Sequence, residues 1–348
     1  MMIPLNTPVA FIIFNRPETT ETVFKEIAKA KPRKLLVIAD GPRSTRPAEA
    51  EKCSAARAVI EQVDWDCEVL TNYSDRNLGL KKRISSGLNW VFENVEEAIM
   101  LEDDCLPHPS FFQFCEELLA KYRHDPRIMM ISGDNFLPGQ DQSLESGSYF
   151  FSRYTHIWGW ASWRRAWQYF DVEMKDWSKL RDTSMILDVL GNKTAAEYWR
   201  YTLDNVANGY INIWSYQWLV ACWAQNGFSV TPAVNLVTNI GYGADATNLK
   251  VSEETGDQRP FLEMKFPLQH PPFMIRNRKA DDYITKHIFR CLRWTNHGKY
   301  ARISRRLFPW LPAVTIQDYL LGLRLILDYL KQRAPQIGPA RPGKQGKE

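Results

Sequence analysis

The run Ala98-Ile99-Met100-Leu101-Glu102-Asp103-Asp104-Cys105-Leu106-Pro107 decides how this chain reads. Four apolar residues lead straight into three acids. Residues 98–101 are too few for a helix and apolar at every position, the pattern of a strand buried on both faces of a sheet. The acids then fall at the C-terminal edge of that strand, where open α/β sheets bind their ligands. Neighbouring carboxylates repel one another, so they belong either on solvent or around a hard divalent cation that takes oxygen ligands. Pro107 and Pro109 are expected to stop the strand, and Ser110 to cap the helix opened by Phe111, Phe112 and Phe114. A solvated turn could also carry three acids. It would need neither a dry strand before it nor an aromatic helix start behind it.

Outward from this point, strands and helices alternate. Residues 8–14 (PVAFIIF) form a first buried strand, followed by Asn15-Arg16-Pro17 and a helix to Ala30. Residues 34–39 form a second, ending at Asp40-Gly41-Pro42-Arg43, and residues 44–62 read as a polar helix. Residues 67–71 form a third. Asn77-Leu78-Gly79-Leu80 then leads into a helix with Ile84, Leu88, Val91 and Phe92 inward. Residues 127–133 are a further strand, ending at Asp134-Asn135. This alternation predicts an α/β fold with a mostly parallel, doubly wound sheet. Trp160, Trp163 and Trp167 have the spacing of a helical core stripe, and His156 among aromatics reads as a structural histidine. Helices are expected over 198–208, with Asp204, and from 211 onward. Residues 227–232 form another strand. The Gly- and Asn-rich stretch 235–248 reads as a mobile loop over a site.

The chain has 348 residues, 45% of them hydrophobic and 24% charged, which suits a globular protein of one large or two smaller domains. Its six cysteines form no CxxC pair, so a zinc site and a disulfide framework are both disfavoured and a reducing compartment is expected. No run is long enough to span a membrane, and the first residues carry no leader pattern. The net charge of +4 is uneven: residues 274–308 hold ten Lys/Arg against Asp281 and Asp282. A helix over 316–332 follows, with a wide apolar stripe. This region either packs on the main domain or meets an anionic membrane surface.

Glu102-Asp103-Asp104 after an apolar strand resembles the DXD element of GT-A-fold glycosyltransferases. The nearest likeness is to the N-acetylglucosaminyltransferase I type and related bacterial nucleotide-diphospho-sugar transferases, over about residues 8–248. The resemblance implies a hexosyl- or N-acetylhexosaminyl-transferase using Mn²⁺ or Mg²⁺. Asp104 would hold the metal, which bridges the donor's diphosphate, while Glu102 and Asp103 face the nucleotide. Arg16 matches an arginine that relatives place after their first strand. Asp40 matches an aspartate that contacts the uracil of a UDP-sugar, and Asn77 stands in a turn beside ribose and phosphates. Trp158-Gly159-Trp160 is similar to a glycine-tryptophan element that closes over the donor sugar, so Gly159 and Trp160 join the expected site. Relatives carry an aspartate general base directly after a tryptophan, where this chain has Ser215. The base is therefore sought in Asp204, Asp134 or Asp245.

The expected organisation is a GT-A-like domain over 5–248, a linker or wrapping segment over 249–273, a basic helical extension over 274–333 and a disordered tail over 334–348. The expected partners are a nucleotide-sugar donor and a glycan or lipid-linked acceptor, with membrane contact through the basic region and no nucleic acid. The expected location is the cytoplasm, the inner face of the membrane staying open. The expected reaction inverts the sugar's configuration and serves polysaccharide synthesis. Two alternatives stand beside it. A non-catalytic nucleotide-sugar or glycan-binding protein would explain Ser215. A sugar nucleotidyltransferase would share the sheet, although Phe14-Asn15-Arg16-Pro17 lacks the glycine-rich loop such enzymes use.

Overall fold

A computed structural model describes residues 4–138, 147–241 and 259–293. Ten strands and ten α-helices alternate for much of this length: β1 Val9–Ile13, α1 Pro17–Ala30, β2 Lys34–Ala39, α2 Glu49–Ala58, β3 Glu68–Tyr73, α3 Leu80–Asn94, β4 Glu97–Glu102, β5 Cys105–Pro107, α4 Ser110–Tyr122, β6 Ile128–Ser132, β7 Tyr149–Ser152 and β8 Trp160–Trp163. Five helices follow, α5 Arg164–Trp167, α6 Trp177–Arg181, α7 Met185–Leu190, α8 Lys193–Ala207 and α9 Ser215–Ala224. Then come β9 Phe228–Pro232, β10 Val237–Asn239 and α10 Arg278–Tyr283.

Eight strands form one sheet in the order β3-β2-β1-β4-β8-β6-β9-β7. The first four are parallel; β8 and β7 run against their neighbours, and β6 pairs parallel with β9. The mostly parallel α/β sheet is thus observed, with two reversed strands in its second half. Alternation of side chains builds the two layers. Val9, Phe11, Ile13, Leu35 and Val37 pack on one face with α1 and α4, while Ala10, Ile12, Leu36 and Ile38 pack on the other with α3 and α9. Ile84, Leu88, Val91 and Phe92 supply the buried stripe of α3, as their spacing predicts.

Three local expectations change. Trp160 and Trp163 lie on a strand rather than a helix. They point to opposite faces, Trp160 into one core layer and Trp163 into the other, because the strand period is two. Ser110 does not cap α4: Pro109 stands at the cap, and the Ser110 hydroxyl instead meets His108 Nδ1 and accepts the Met264 N–H at 2.9 Å. Pro107 does not end β4 but closes β5, a short second strand after the acids that pairs antiparallel with β10 inside the stretch read as loop.

The chain from Met1 to Leu292 forms one compact unit. In the stretch 259–273, Met264 and Leu268 are buried in the core, and the Leu262 N–H bonds to Asn235 O. Residues 274–292, expected to begin a separate extension, belong to this unit, since Ile284 and Cys291 are buried against α8 and α9. Asp245, the helix over 316–332 and the expected tail lie outside the described residues. Among the described residues, no helix is long and apolar enough to cross a membrane.

Candidate active site

The parallel strands β1, β2 and β4 end on the same edge of the sheet, and their tips surround a cavity of about 510 Å³. This is within the range of pockets that hold small ligands. Arg16 enters from the β1 tip, Asp40 from β2, and Glu102, Asp103 and Asp104 from β4. Asn77 and Gly79 come from the turn before α3, and Trp214 and Ser215 from the start of α9. Of the sequence-predicted residues, the fold therefore brings Arg16, Asp40, Asn77, Glu102, Asp103 and Asp104 to one place. Four segments up to 90 residues apart meet there only because parallel strands place all their C-terminal ends together.

The acids share one cation. Arg16 Nη1 lies 2.8 Å from Asp104 Oδ2 and 3.5 Å from Asp103 Oδ1. The backbone N–H of Phe14 donates to Asp103 Oδ2 at 3.1 Å. Burial first, and then the negative charge of Asp104, push the carboxyls of Glu102 and Asp103 well above the usual range. Arg16 works in the opposite sense and offsets only part of this resistance to ionisation.

Whether these residues fit a divalent ion can be judged from Gly241, on the strap that follows β10. A Cβ there would lie 2.3 Å from Asp104 Oδ2, so only glycine leaves room beside that oxygen. Asp104, with Asp103 beside it, offers hard oxygen ligands facing a cavity. Among the described residues, no group of three or more His, Cys, Asp or Glu is arranged to enclose a metal. One or two carboxylates of this kind fit a Mg²⁺- or Mn²⁺-type ion only where phosphate and water fill its other positions.

Asp40 has a different task from the one its position suggests. Its Oδ1 accepts the N–H groups of Gly41 and Leu78, at 2.9 and 2.8 Å. Its Oδ2 accepts Asn77 Nδ2 and the Gly79 N–H, at 3.0 and 3.1 Å. With both oxygens engaged, Asp40 fixes the turn that opens α3 rather than presenting an acceptor to a base. Gly41 makes this close approach possible: a Cβ there would lie 2.5 Å from the Arg76 backbone nitrogen.

Four other predicted residues are not on the cavity wall. Trp160 is 2% exposed and lies behind Trp214, with which it stacks at 5.9 Å. Gly159, at φ +64°, is required by packing on Val237 and Leu101 rather than by a ligand, and its carbonyl accepts the Gly133 N–H at 2.7 Å. Asp204 is held by Arg181 Nε at 2.8 Å and Trp177 Nε1 at 3.1 Å, so its carboxylate is committed to α6. Asp134 is buried at the tip of β6, and burial pushes its carboxyl well above the usual carboxylate range. Ser215 does line the cavity, in the place where an acid is expected.

Residues not singled out from the sequence complete the wall. Arg43 lies 5.5 Å from the centre of the Phe14 ring and is paired with the buried Glu49. Arg83 reaches Asn72 O at 2.7 Å. Trp158 packs on Phe136 at 5.1 Å, and Phe136 on His156 at 4.8 Å. Arg43 and Trp158 stand in motifs already quoted; Arg83 lies on the cavity side of an otherwise ordinary helix, and nothing in the local pattern marks it.

No protein-family model matches the chain, and no curated protein sequence matches it. The solved structures that match the chain include the following two. One is a mannosyltransferase from Pyrobaculum calidifontis in complex with GDP-mannose and Mn²⁺. It is 12% identical over 64% of this chain and 70% of that one, with a TM-score of 0.36. The other is a UDP-glucose pyrophosphorylase complexed with UDP-glucose, 12% identical over 42% of this chain, with a TM-score of 0.25. The match spans 62% of the pyrophosphorylase, less than two thirds of its length.

Proposed function

We propose that the protein is a glycosyltransferase that uses a nucleotide-diphospho-sugar donor and a divalent metal. The observation that carries this reading is the meeting of Arg16, Asn77 and the Glu102-Asp103-Asp104 cluster around one cavity at the C-terminal edge of a parallel sheet. A diphosphate needs positive charge on one side, and its bridging metal needs carboxylates on the other. Asp104 and Asp103 would hold Mn²⁺ or Mg²⁺, which supplies Lewis-acid neutralisation of the leaving diphosphate. Arg16 offers a planar fork to phosphate oxygens. The turn fixed by Asp40 sets Asn77 and the positive end of α3 toward the nucleotide. Arg43 and Phe14 form a flat, cationic wall suited to a base, with a uridine donor as the first choice. Trp158 and Trp214 flank the sugar.

Glycosyl transfer also needs a group to take the acceptor's proton if configuration is inverted. Among the described residues, the acids on the cavity wall are Asp40, Glu102, Asp103 and Asp104. Asp40 is occupied and the other three belong to the metal end. Asp134, one wall behind Trp158, and Asp245 remain the proposed bases, while Asp204 would first have to leave Arg181. Ser215 at the expected position favours the second reading, a protein that binds the donor without transferring it.

The proposed acceptor is a glycan or a lipid-linked glycan. Contact with an anionic membrane surface is proposed near residues 273–290. Phe273 and Ile275 are each 71% exposed there, and Arg278, Lys279, Lys286 and Arg290 are exposed beside them. Donor hydrolysis, measured over a panel of nucleotide-sugars with and without Mn²⁺, tests the function. Metal-dependent turnover of one donor is the expected result. Tight donor binding with no turnover would select the binding protein instead.

A further inference from the structure

We infer that Arg16 is an internal occupant of the metal position, which keeps the acids closed to a free divalent ion and yields only when the ion arrives with a diphosphate. The inference rests on the reading of Asp103 and Asp104 as a metal site, and deepens it by setting the order of binding.

Four carboxylate oxygens are available in this pair. Asp103 Oδ2 is taken by the Phe14 N–H at 3.1 Å. Asp104 Oδ1 lies 3.6 Å from the thiol of Cys105, which is buried. The other two, Asp104 Oδ2 and Asp103 Oδ1, both face Arg16 Nη1, at 2.8 and 3.5 Å. The guanidinium thus stands on the approach that an incoming cation would use. A doubly charged ion and a guanidinium repel each other across one oxygen at that range, so free metal binds at the cost of displacing Arg16 into the cavity with no new partner. A diphosphate supplies that partner. Its oxygens accept the arginine fork in a paired geometry at least as good as the one it leaves. Metal and diphosphate therefore each improve the other's binding beyond their direct attraction, by the amount the Arg16–Asp104 bridge resists either one alone.

The test measures Mn²⁺ binding to the full chain by electron paramagnetic resonance, alone and with saturating UDP or GDP. Wild type, Arg16→Gln and Arg16→Lys are compared, with thermal unfolding as a check on the fold. Without nucleotide, Arg16→Gln is expected to bind Mn²⁺ at least tenfold more tightly than wild type. Arg16→Lys, which keeps the charge, is expected to stay near wild type. The gain in Mn²⁺ affinity on adding nucleotide is expected to be smaller in Arg16→Gln by about the same factor. Equal Mn²⁺ affinity of wild type and Arg16→Gln without nucleotide overturns the gate and leaves the metal site standing. Failure of all three proteins to bind Mn²⁺ with either nucleotide overturns the metal site, and the gate with it.

Discussion

At the scale of single residues, three carboxylates have three different tasks. Asp104 offers an oxygen to the cavity, Asp40 spends both oxygens on its own turn, and Asp204 is fixed by Arg181 and Trp177. Replacement separates them. Asp104→Ala is expected to abolish metal-dependent donor turnover while thermal unfolding shows the fold retained, because the substitution relieves repulsion in an acid cluster. Asp40→Ala is expected to cost about 1–3 kcal/mol in urea unfolding, since it leaves the N–H groups of Leu78 and Gly79 without their acceptor. His156 makes a pH prediction. Burial first, and then Arg259, lower its imidazole to about 3. Between that value and the ordinary histidine range the unfolded chain binds a proton that the folded chain does not. This contribution to stability is therefore present at neutral pH and lost as pH falls through about 6.5 toward 3. An NMR titration should show the His156 ring neutral down to about pH 4, and a His156→Gln variant should lose less stability on acidification.

At the scale of elements, the turn between β2 and α2 and the turn before α3 are mutually fitted. Gly41→Ala would drive a methyl group into the backbone of Asp75 and Arg76, at 2.6 Å or less. A loss of about 1–3 kcal/mol in chemical unfolding is expected, with weakened donor binding as α3 shifts. The elements legible in the sequence were those with a single dominant signal. The apolar runs of β1, β2, β4 and β6 are buried on both faces, and the period of α3 is sustained over fifteen residues. Less legible was Trp160-Ala161-Ser162-Trp163, where four buried positions fit a helix or a strand equally and only the partners β4 and β6 settle it. The site divided in the same way. Residues on strand tips were found, because a change from apolar to charged marks a strand end. The role of Asp40 was not, because hydrogen bonds to a turn 37 residues later leave no mark on local sequence. Nor does helix period show that Trp160 lies behind Trp214.

At the scale of the whole molecule, the C-terminal part of the unit is tied in by charge as well as by apolar packing. Asp281 is fully buried, with Arg276 Nε at 3.3 Å, Arg153 Nε at 3.7 Å and the Ser152 hydroxyl at 2.6 Å. Removing one partner of such a group strands the others, so Asp281→Ala is expected to cost about 3–5 kcal/mol in urea unfolding and to expose residues 276–285 to proteolysis. Membrane contact can be checked on the same segment. Full-length protein should sediment with vesicles containing phosphatidylserine, and Phe273→Ser/Ile275→Ser should reduce this, while neutral vesicles should leave both proteins in solution. The strand order carries a consequence for how the chain is made. β8 sits between β4 and β6, and β9 between β6 and β7, so neighbours in space are not neighbours in time. As synthesis passes residue 155, β4 and β6 already exist, yet each lacks the partner that will join them. β8 closes the gap between them once residue 163 has emerged, and the far edge of β6 stays open until some 75 residues beyond 155 have emerged and β9 has been added. A growing chain halted there would present two sticky borders at once. Ribosome-bound chains of that length should be captured by chaperones, and those that reach residue 240 should escape them.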